Sequence, residues 1–543
     1  MSSENSMDVL LIGVDAACSS VLDMLFETKS VPNIRGLIDD GVVSHLQSQI
    51  PPWTPSAWPS IYTGVNPGKH GAFGFVQFDG YDWEVVSAEH VRERSLWSLL
   101  AEHGLTSVVV NVPVTYPSDD IDGAIVPGFI GPEDPECSPP GLLEDIRDAI
   151  GEYRVYPEYA RGDTDYSDDE KMDEYCRLAK FRGQAFRYLA DEFDPDFGFV
   201  QFQKTDTVFH EFDGQTEKVR RIYEETDEQI GKILDHCDPT YVFLVSDHGI
   251  GPYDGHEFRV NDHLKERGYL ESTFEGKGMP SWNPIRNQLR QGETARTWDP
   301  GLISQMAALP AKVGISPSDV VSKLERFGLA DVVRRHAPAS MVRTSTEQVD
   351  FPSSTAYMRA RTELGVRINL EGREPGGTVS QEEYEAVRQE LIELLQRVRT
   401  PDGDPVFQAV RPREEFFHGP YAEDAVDIVT IPNEFNQFLS ANLAGERFGP
   451  PTEPWNHKLD GVIVAAGGDI DTTARLENPH IFDVAPTVMA AFGLPISDRM
   501  DGKVLPLVED TGRKSYPSYR SSARSDRDVS DVEERLSDLG YFE

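Results

Sequence analysis

Seven side chains stand out for what they could do together: Asp15, Thr54, Asp206, His210, Asp247, His248 and His457. Three carboxylates and three imidazoles make a hard-to-borderline donor set suited to Zn²⁺ or Mn²⁺. Asp206 and His210, spaced D-x-x-x-H in "KTDTVFH", share one helical face. Asp247 and His248 are adjacent in "YVFLVSDHG", and His457 lies in "PWNHKLDGVIVAAG". Thr54 sits in "PPWTPSAWPSIYTG", a loop stiffened by Pro51, Pro52 and Pro55. A hydroxyl is a weak nucleophile near neutral pH, and coordination to a metal activates it. The helix-like run 56–62 that follows would offer backbone N–H groups to an anion at its N-terminus.

Each signal alone has an ordinary structural reading. A strand-end Asp or a Thr before a helix can be a cap, a lone His can be satisfied in the core, and D-x-x-x-H arises often by chance. Together they would crowd several costly polar groups onto one edge, where unpaired buried charge is expensive. A pair of divalent cations accounts for them all.

The elements that must position these groups are short apolar runs: 8–16, 107–114, 197–203, 241–249, 427–432 and 461–467. Such nearly continuous hydrophobicity suits strands covered on both faces, as in a mostly parallel sheet. Helical patterns at 168–193, 213–236 and 481–493 alternate with them, which predicts a layered α/β fold. In such sheets ligands collect beyond the carboxyl ends of the strands. Asp15 and the Asp247–His248 pair end strands, Asp206 and His210 follow one, and His457 precedes the last, so it is expected to reach the site from a loop.

The stretch 257–425 is richer in Arg, Gly and Pro and carries an amphipathic helix at 380–399 opened by a Ser380/Glu383 capping box. It reads as an inserted smaller α/β subdomain, a substrate cap, between a catalytic core at 1–256 and its second part at 426–510. The segment 511–543 reads as a polar, mobile tail with a short terminal helix.

At 543 residues, 39% hydrophobic, the chain can fill a large core with room for an insertion. Its 51 basic against 93 acidic residues give −42, a field that repels nucleic acid and anionic membrane and fits a solvated acidic surface of the halophilic kind. No run approaches the length of a membrane helix, and the start "MSSENSMDVLLIGVD" lacks a basic n-region. Cys18, Cys137, Cys176 and Cys237 are scattered, as expected of free thiols in a reducing cytoplasm, with Cys18 a small buried filler.

The pieces "LLIGVDAA", "PPWTPSAWPSIYTGVNPGKHGAFGF", "KTDTVFHEF", "LVSDHGIGP", "NHKLDGVIVAAGGDI" and "IFDVAPTVMAAFGLPISDRMDGKVL" occur in one order from residue 8 to about 507. In these the chain resembles the alkaline phosphatase superfamily, in the branch of type I phosphodiesterases and nucleotide pyrophosphatases, and within it a microbial phosphohydrolase/phosphomutase group. The resemblance implies an alkaline-phosphatase-like three-layer αβα fold with a mostly parallel central sheet. It implies two divalent ions, Zn²⁺ ahead of Mn²⁺: one on Asp206, His210 and His457, the other on Asp15, Asp247, His248 and the Thr54 oxygen. Thr54 would attack phosphorus in line to give a phospho-threonine that water hydrolyses. His70 in "NPGKHG" also matches a family position, with a structural role as the alternative.

Relatives often place an asparagine three residues after the nucleophile, where this chain has Ala57. Backbone N–H groups after Thr54, or Lys204, could substitute. The segment "RINLEGREPGG" (367–377) also resembles the microbial group. Arg359, Arg361 and Arg373 are then candidates for gripping a substrate phosphate or carboxylate, against the plainer reading that they pair with this chain's many carboxylates. The expected partner is a small-molecule phosphate ester. The readings carried forward are a metal-dependent phosphohydrolase, a phosphomutase using the same site, and a metal-stabilised binding protein without turnover.

Overall fold

The computed structural model describes residues 7–161, 166–274 and 347–519. Most of the central stretch of the insertion (275–346) and the terminal "VEERLSDLGYFE", expected to form a short helix, lie outside the described residues.

Strands β1 (Val9–Val14), β2 (Val42–Gln47), β3 (Ser107–Val110), β4 (Gly123–Val126), β5 (Phe197–Phe202), β6 (Tyr241–Val245) and a late strand, Asp460–Gly467, form a seven-stranded sheet. Its order is β2, Asp460–Gly467, β6, β1, β5, β3, β4. The five strands from β6 to β4 run parallel, and Asp460–Gly467 runs antiparallel to β6. All six residues of β1 are buried, as the unbroken apolar run required of a strand covered on both faces. This is the mixed α/β, mostly parallel architecture expected.

Helix α1 (Thr54–Thr63) follows the proline loop. Helix α2 (Asp168–Phe193) starts on a capping box in which the Ser167 and Glu170 side chains satisfy each other's backbone N–H. Helix α3 (Lys204–Phe212) begins just beyond β5, and α4 (Thr216–Cys237) returns along α2 to lead into β6.

A separate four-stranded sheet carries Ala356–Tyr357, Gly365–Ile368, Ile428–Pro432 and Phe407–Pro412 in that order. The run 427–432, expected in the main sheet, therefore pairs antiparallel with 365–366 and 407–412 instead. A continuous apolar run signals two covered faces but does not say in which sheet. The Ser380/Glu383 box forms, with Ser380 Oγ donating to Glu383 at 2.7 Å, yet the regular helix spans only Tyr384–Gln396.

Residues 511–519, expected to be mobile, dock on the core. Arg513 donates to the carbonyls of Met500 and Gly502, and the buried Tyr516 donates to that of Pro495 at 2.6 Å. Among the described residues no helix is long and apolar enough to cross a membrane, and the four cysteines are free.

Candidate functional site

The carboxyl edge of the parallel strands gathers the predicted groups. Asp15 follows β1, Asp206 and His210 ride on α3 just past β5, and Asp247 and His248 follow β6. His457 arrives on a short strand, Trp455–Lys458, paired antiparallel with Gly249–Pro252, and not from a loop. The reason is direction: Asp460–Gly467 runs against its neighbour β6, so its start lies at that strand's carboxyl end.

Two overlapping clusters of possible metal ligands result, Asp206–His210–His457 and Asp15–Asp206–His248, each with its donor atoms within 4.8 Å of one another. In the first, His210 Nε2 lies 3.2 Å from Asp206 Oδ1 and 3.1 Å from His457 Nε2. In the second, His248 Nε2 lies 3.5 Å from Asp15 Oδ1, 3.3 Å from Asp247 Oδ2 and 3.3 Å from Thr54 Oγ1. Thr54, Asp15, Asp206, Asp247 and His248 are fully buried.

All three imidazoles are oriented the same way. Nδ1 of His457 is 2.7 Å from the Pro52 carbonyl, that of His248 is 3.0 Å from the Gly249 carbonyl, and that of His210 is 3.5 Å from Glu453. A nitrogen facing an acceptor carries the proton, which leaves each Nε2 lone pair aimed into the cluster. Two such lone pairs, on His210 and His457, face each other at 3.1 Å and need a proton or a metal between them.

The charges make the same demand. Burial, reinforced by Asp247 and Asp206, pushes Asp15 well above the usual carboxylate range. Burial raises Asp247 to about 6 against the pull of His248. At Asp206 burial is overcome by His210, which holds it low, and His210 in turn rises to about 10 because Asp206 outweighs its own burial. Burial and the neighbouring His248 hold His457 down, hence neutral. Asp15 Oδ1 and Asp247 Oδ2 are buried without hydrogen-bond partners among the described residues, a costly state that a cation would relieve. The donor set and these bare oxygens fit divalent ions.

Thr54 opens α1 without capping it. The cap position is Trp53, and the Thr54 hydroxyl faces His248. The N–H groups expected to receive an anion are used otherwise: those of Ser56 and Ala57 both donate to the Trp53 carbonyl at 2.9 Å, and Pro55 has none. Beneath the helix a buried network holds it in place. Ser60 bonds both Gln49 and His70, the latter at 2.9 Å, and His70 Nδ1 accepts from Ala72 N at 3.1 Å. Burial lowers His70 to about 3, so it is a neutral imidazole bonded beneath the helix that Thr54 opens.

The substrate-gripping candidates divide. Arg359 is held by Glu363, with Nε at 3.0 Å, and lies 4.0 Å over the Phe78 ring. Arg373 forks onto Asp427 with both contacts at 2.7 Å. Both are paired with carboxylates of the smaller subdomain. Arg361 instead donates to Glu453 at 2.8 Å, next to His210. Lys204 is buried over Tyr175, 3.5 Å from Thr207 Oγ1, in a small cavity shared with Asn111, Arg182 and Thr226. Burial, then Arg182, lowers its pKa to about 7. Those are the partners of a buried cation on an aromatic face, not of a group presented at Thr54.

Three residues escaped sequence reasoning. Gln201 and Trp58 donate to Asp15 Oδ2 at 2.7 and 3.1 Å and fix that carboxylate. Trp58 reaches it because residue 13 is glycine, where a Cβ would come within 2.5 Å of the indole. The glutamine was findable: an amide inside the apolar run "FGFVQF" needs a polar partner when buried. Glu453, four residues before His457, carried no comparable signal.

A family model described as type I phosphodiesterase / nucleotide pyrophosphatase matches residues 9–313, more than half of the chain. No curated protein matches in sequence. Among solved structures the chain is similar to phosphonoacetate hydrolase from Sinorhizobium meliloti 1021 in complex with phosphonoacetate (TM-score 0.55, 16% identity, 88% of this chain and 94% of that one). It is also similar to wild-type alkaline phosphatase PafA (TM-score 0.53, 14% identity, 92% of this chain and 98% of that one). At such identities the likeness is one of fold.

Proposed function

Because this chain belongs to the type I phosphodiesterase/nucleotide pyrophosphatase family of the alkaline phosphatase superfamily, we propose that it hydrolyses small-molecule phosphate esters through a phospho-threonine at Thr54. One observation carries the reading: the Thr54 hydroxyl, at the first residue of α1, is buried 3.3 Å from His248 Nε2 beside two unpartnered carboxylate oxygens. Asp206, His210 and His457 would hold one divalent ion, and Asp15, Asp247, His248 and Thr54 Oγ1 the other, Zn²⁺ ahead of Mn²⁺. Bound there, the ions would supply activation of the hydroxyl and neutralisation of charge on the phosphoryl oxygens.

The chain's own part is positional. Pro55, with its fixed φ, and the Gln49–Ser60–His70 network hold α1 and with it the Thr54 hydroxyl, from which in-line attack on a phosphorus would start. Thr54 Oγ1 bonds to phosphorus as the bond to the leaving oxygen breaks, and the leaving group departs with a proton. Water then attacks the phospho-threonine, releasing phosphate or a phosphomonoester and restoring the hydroxyl. Ala57, where relatives often carry asparagine, leaves one contact to a non-bridging oxygen unsupplied, so monoesters and diesters both belong in the assay. The smaller subdomain is proposed as the substrate cap, and the free cysteines fit a cytoplasmic setting.

The test is turnover of p-nitrophenyl phosphate and bis-p-nitrophenyl phosphate by metal-stripped protein reloaded with Zn²⁺ or Mn²⁺. Activity should require metal and fall by about 10³-fold or more in Thr54→Ala. Undiminished turnover by that variant removes Thr54 from the chemistry.

A further inference from the structure

Glu453 joins three segments that sequence separates widely. One oxygen accepts from Arg361 of the smaller subdomain at 2.8 Å. The other lies 3.5 Å from His210 Nδ1 and accepts from Asn456 Nδ2 at 2.8 Å, while Asn456 Oδ1 accepts from the backbone N–H of His457 at 2.7 Å. The two residues around it are anchored as well. Trp455 stacks on Phe209 of α3 with centroids 5.4 Å apart, and the Arg361 guanidinium lies 4.9 Å over Phe438.

We propose that Glu453 and Arg361 are a positioning pair that sets His210 for the ion shared by Asp206, His210 and His457, making that ion's affinity depend on docking of the smaller subdomain. The inference rests on the metal reading above and adds residues which that reading does not use. Glu453 faces Nδ1, the side of the ring turned away from the cluster, so it orients a ligand and does not itself coordinate. A carboxylate there holds the Nδ1–H outward and keeps Nε2 turned toward Asp206, 3.2 Å away, where a metal would displace the Nε2 proton. Arg361 makes that carboxylate tolerable. Side-chain exposure is 13% for Glu453 and 9% for Arg361, and without the guanidinium a negative group would stand nearly buried with only His210 and Asn456 against it. Through this one contact a residue of the smaller subdomain, Arg361, bears on a predicted metal ligand in the core.

The experiment is calorimetric titration of the metal-stripped full chain with Zn²⁺, with the melting temperature in chelator as a separate measure of folding. Glu453→Leu should weaken one site by about 10- to 100-fold and leave the other unchanged. Glu453→Gln, whose amide oxygen can still accept from Nδ1, should recover most of the loss. Arg361→Met should weaken the same site, and combining it with Glu453→Leu should add little. Unchanged Zn²⁺ affinity in Glu453→Leu overturns this inference alone. A wild-type chain that takes up neither Zn²⁺ nor Mn²⁺ overturns it together with the metal reading.

Discussion

His248 and His457 lie ring on ring, with centroids 3.7 Å apart and planes 17° from parallel, and they turn Nε2 into the two overlapping clusters, His248 toward Thr54 and His457 toward His210. Two imidazolium rings at that spacing would repel by about 4 kcal/mol even at an effective dielectric constant of 20. The stack therefore favours at least one neutral ring, and His457 is held neutral by burial and by His248. Trp53 closes the other side of His457 at 4.6 Å. A stacked, neutral imidazole with its Nδ1 proton engaged has its Nε2 ready to take a metal.

The first prediction separates stacking from ligation. His457→Phe keeps an aromatic ring between Trp53 and His248 but removes Nε2. Stability in chelator should change by only about 1 kcal/mol, the value of the lost bond to the Pro52 carbonyl. The variant should retain one ion where the wild type retains two, as measured by elemental analysis after gel filtration. Full retention of both ions would exclude His457 as a ligand.

The second concerns metal removal. Each ion held at 100 times its Kd stabilises the native state by about 2.7 kcal/mol. Stripping both exposes the mutual repulsion of Asp15, Asp206 and Asp247, of which Asp15 and Asp247 keep oxygens without partners. Scanning calorimetry with and without a chelator should show a clear fall in melting temperature, restored by Zn²⁺ or Mn²⁺. Equal melting in both conditions speaks against any tightly held ion.

Much of this site is legible in the sequence, because a strand end is marked by where an apolar run stops, and Asp15, Asp247 and His248 stand at such stops. The D-x-x-x-H spacing likewise places Asp206 and His210 on one helical face without tertiary information. What the chain does not reveal is direction and partnership. An apolar run reads the same for parallel and antiparallel strands, so the route of His457 and the sheet that claims 428–432 were not legible. Arginine partners are set by folding: Arg373 finds Asp427 54 residues away and Arg361 finds Glu453 92 away, and no local pattern encodes either choice.

The third prediction tests whether Arg373 serves structure. Asp427 is fully buried and accepts from Arg373, Arg413, Tyr384 and the backbone N–H of Ile368. Burial would raise its pKa, but Arg373, with the charges of Arg367 and Arg413, outweighs burial and holds it at about 2. Arg373→Ala should cost about 3 kcal/mol, the low end for breaking a buried pair, since the other donors remain. KM for p-nitrophenyl phosphate should not move. A KM raised tenfold or more at unchanged melting temperature would show instead that Arg373 grips substrate.

The fourth is a pH dependence from histidines outside the metal cluster. Burial lowers His70 to about 3 and His480 to about 4. It lowers His263 to about 4 as well, helped by Arg267 and Arg447, while near His70 the charge of Asp501 opposes it only weakly. In the unfolded chain each titrates near 6.5. Above that pH neither state binds the proton, and the three are without effect. Below it the unfolded state binds protons that the native state refuses, so stability falls as pH drops from about 6.5 toward 4, by up to about 1.4 kcal/mol per pH unit for each histidine. Surface carboxylates act the other way, since protonating them relieves the −42 charge, so the measurement belongs in high salt, where that repulsion is screened. His263 offers the control. Neither ring nitrogen has a hydrogen-bond partner among the described residues, so His263→Leu gives up no bond and should flatten the urea-unfolding profile between pH 6.5 and 4. If the slope is the same with and without His263, burial does not keep that ring neutral.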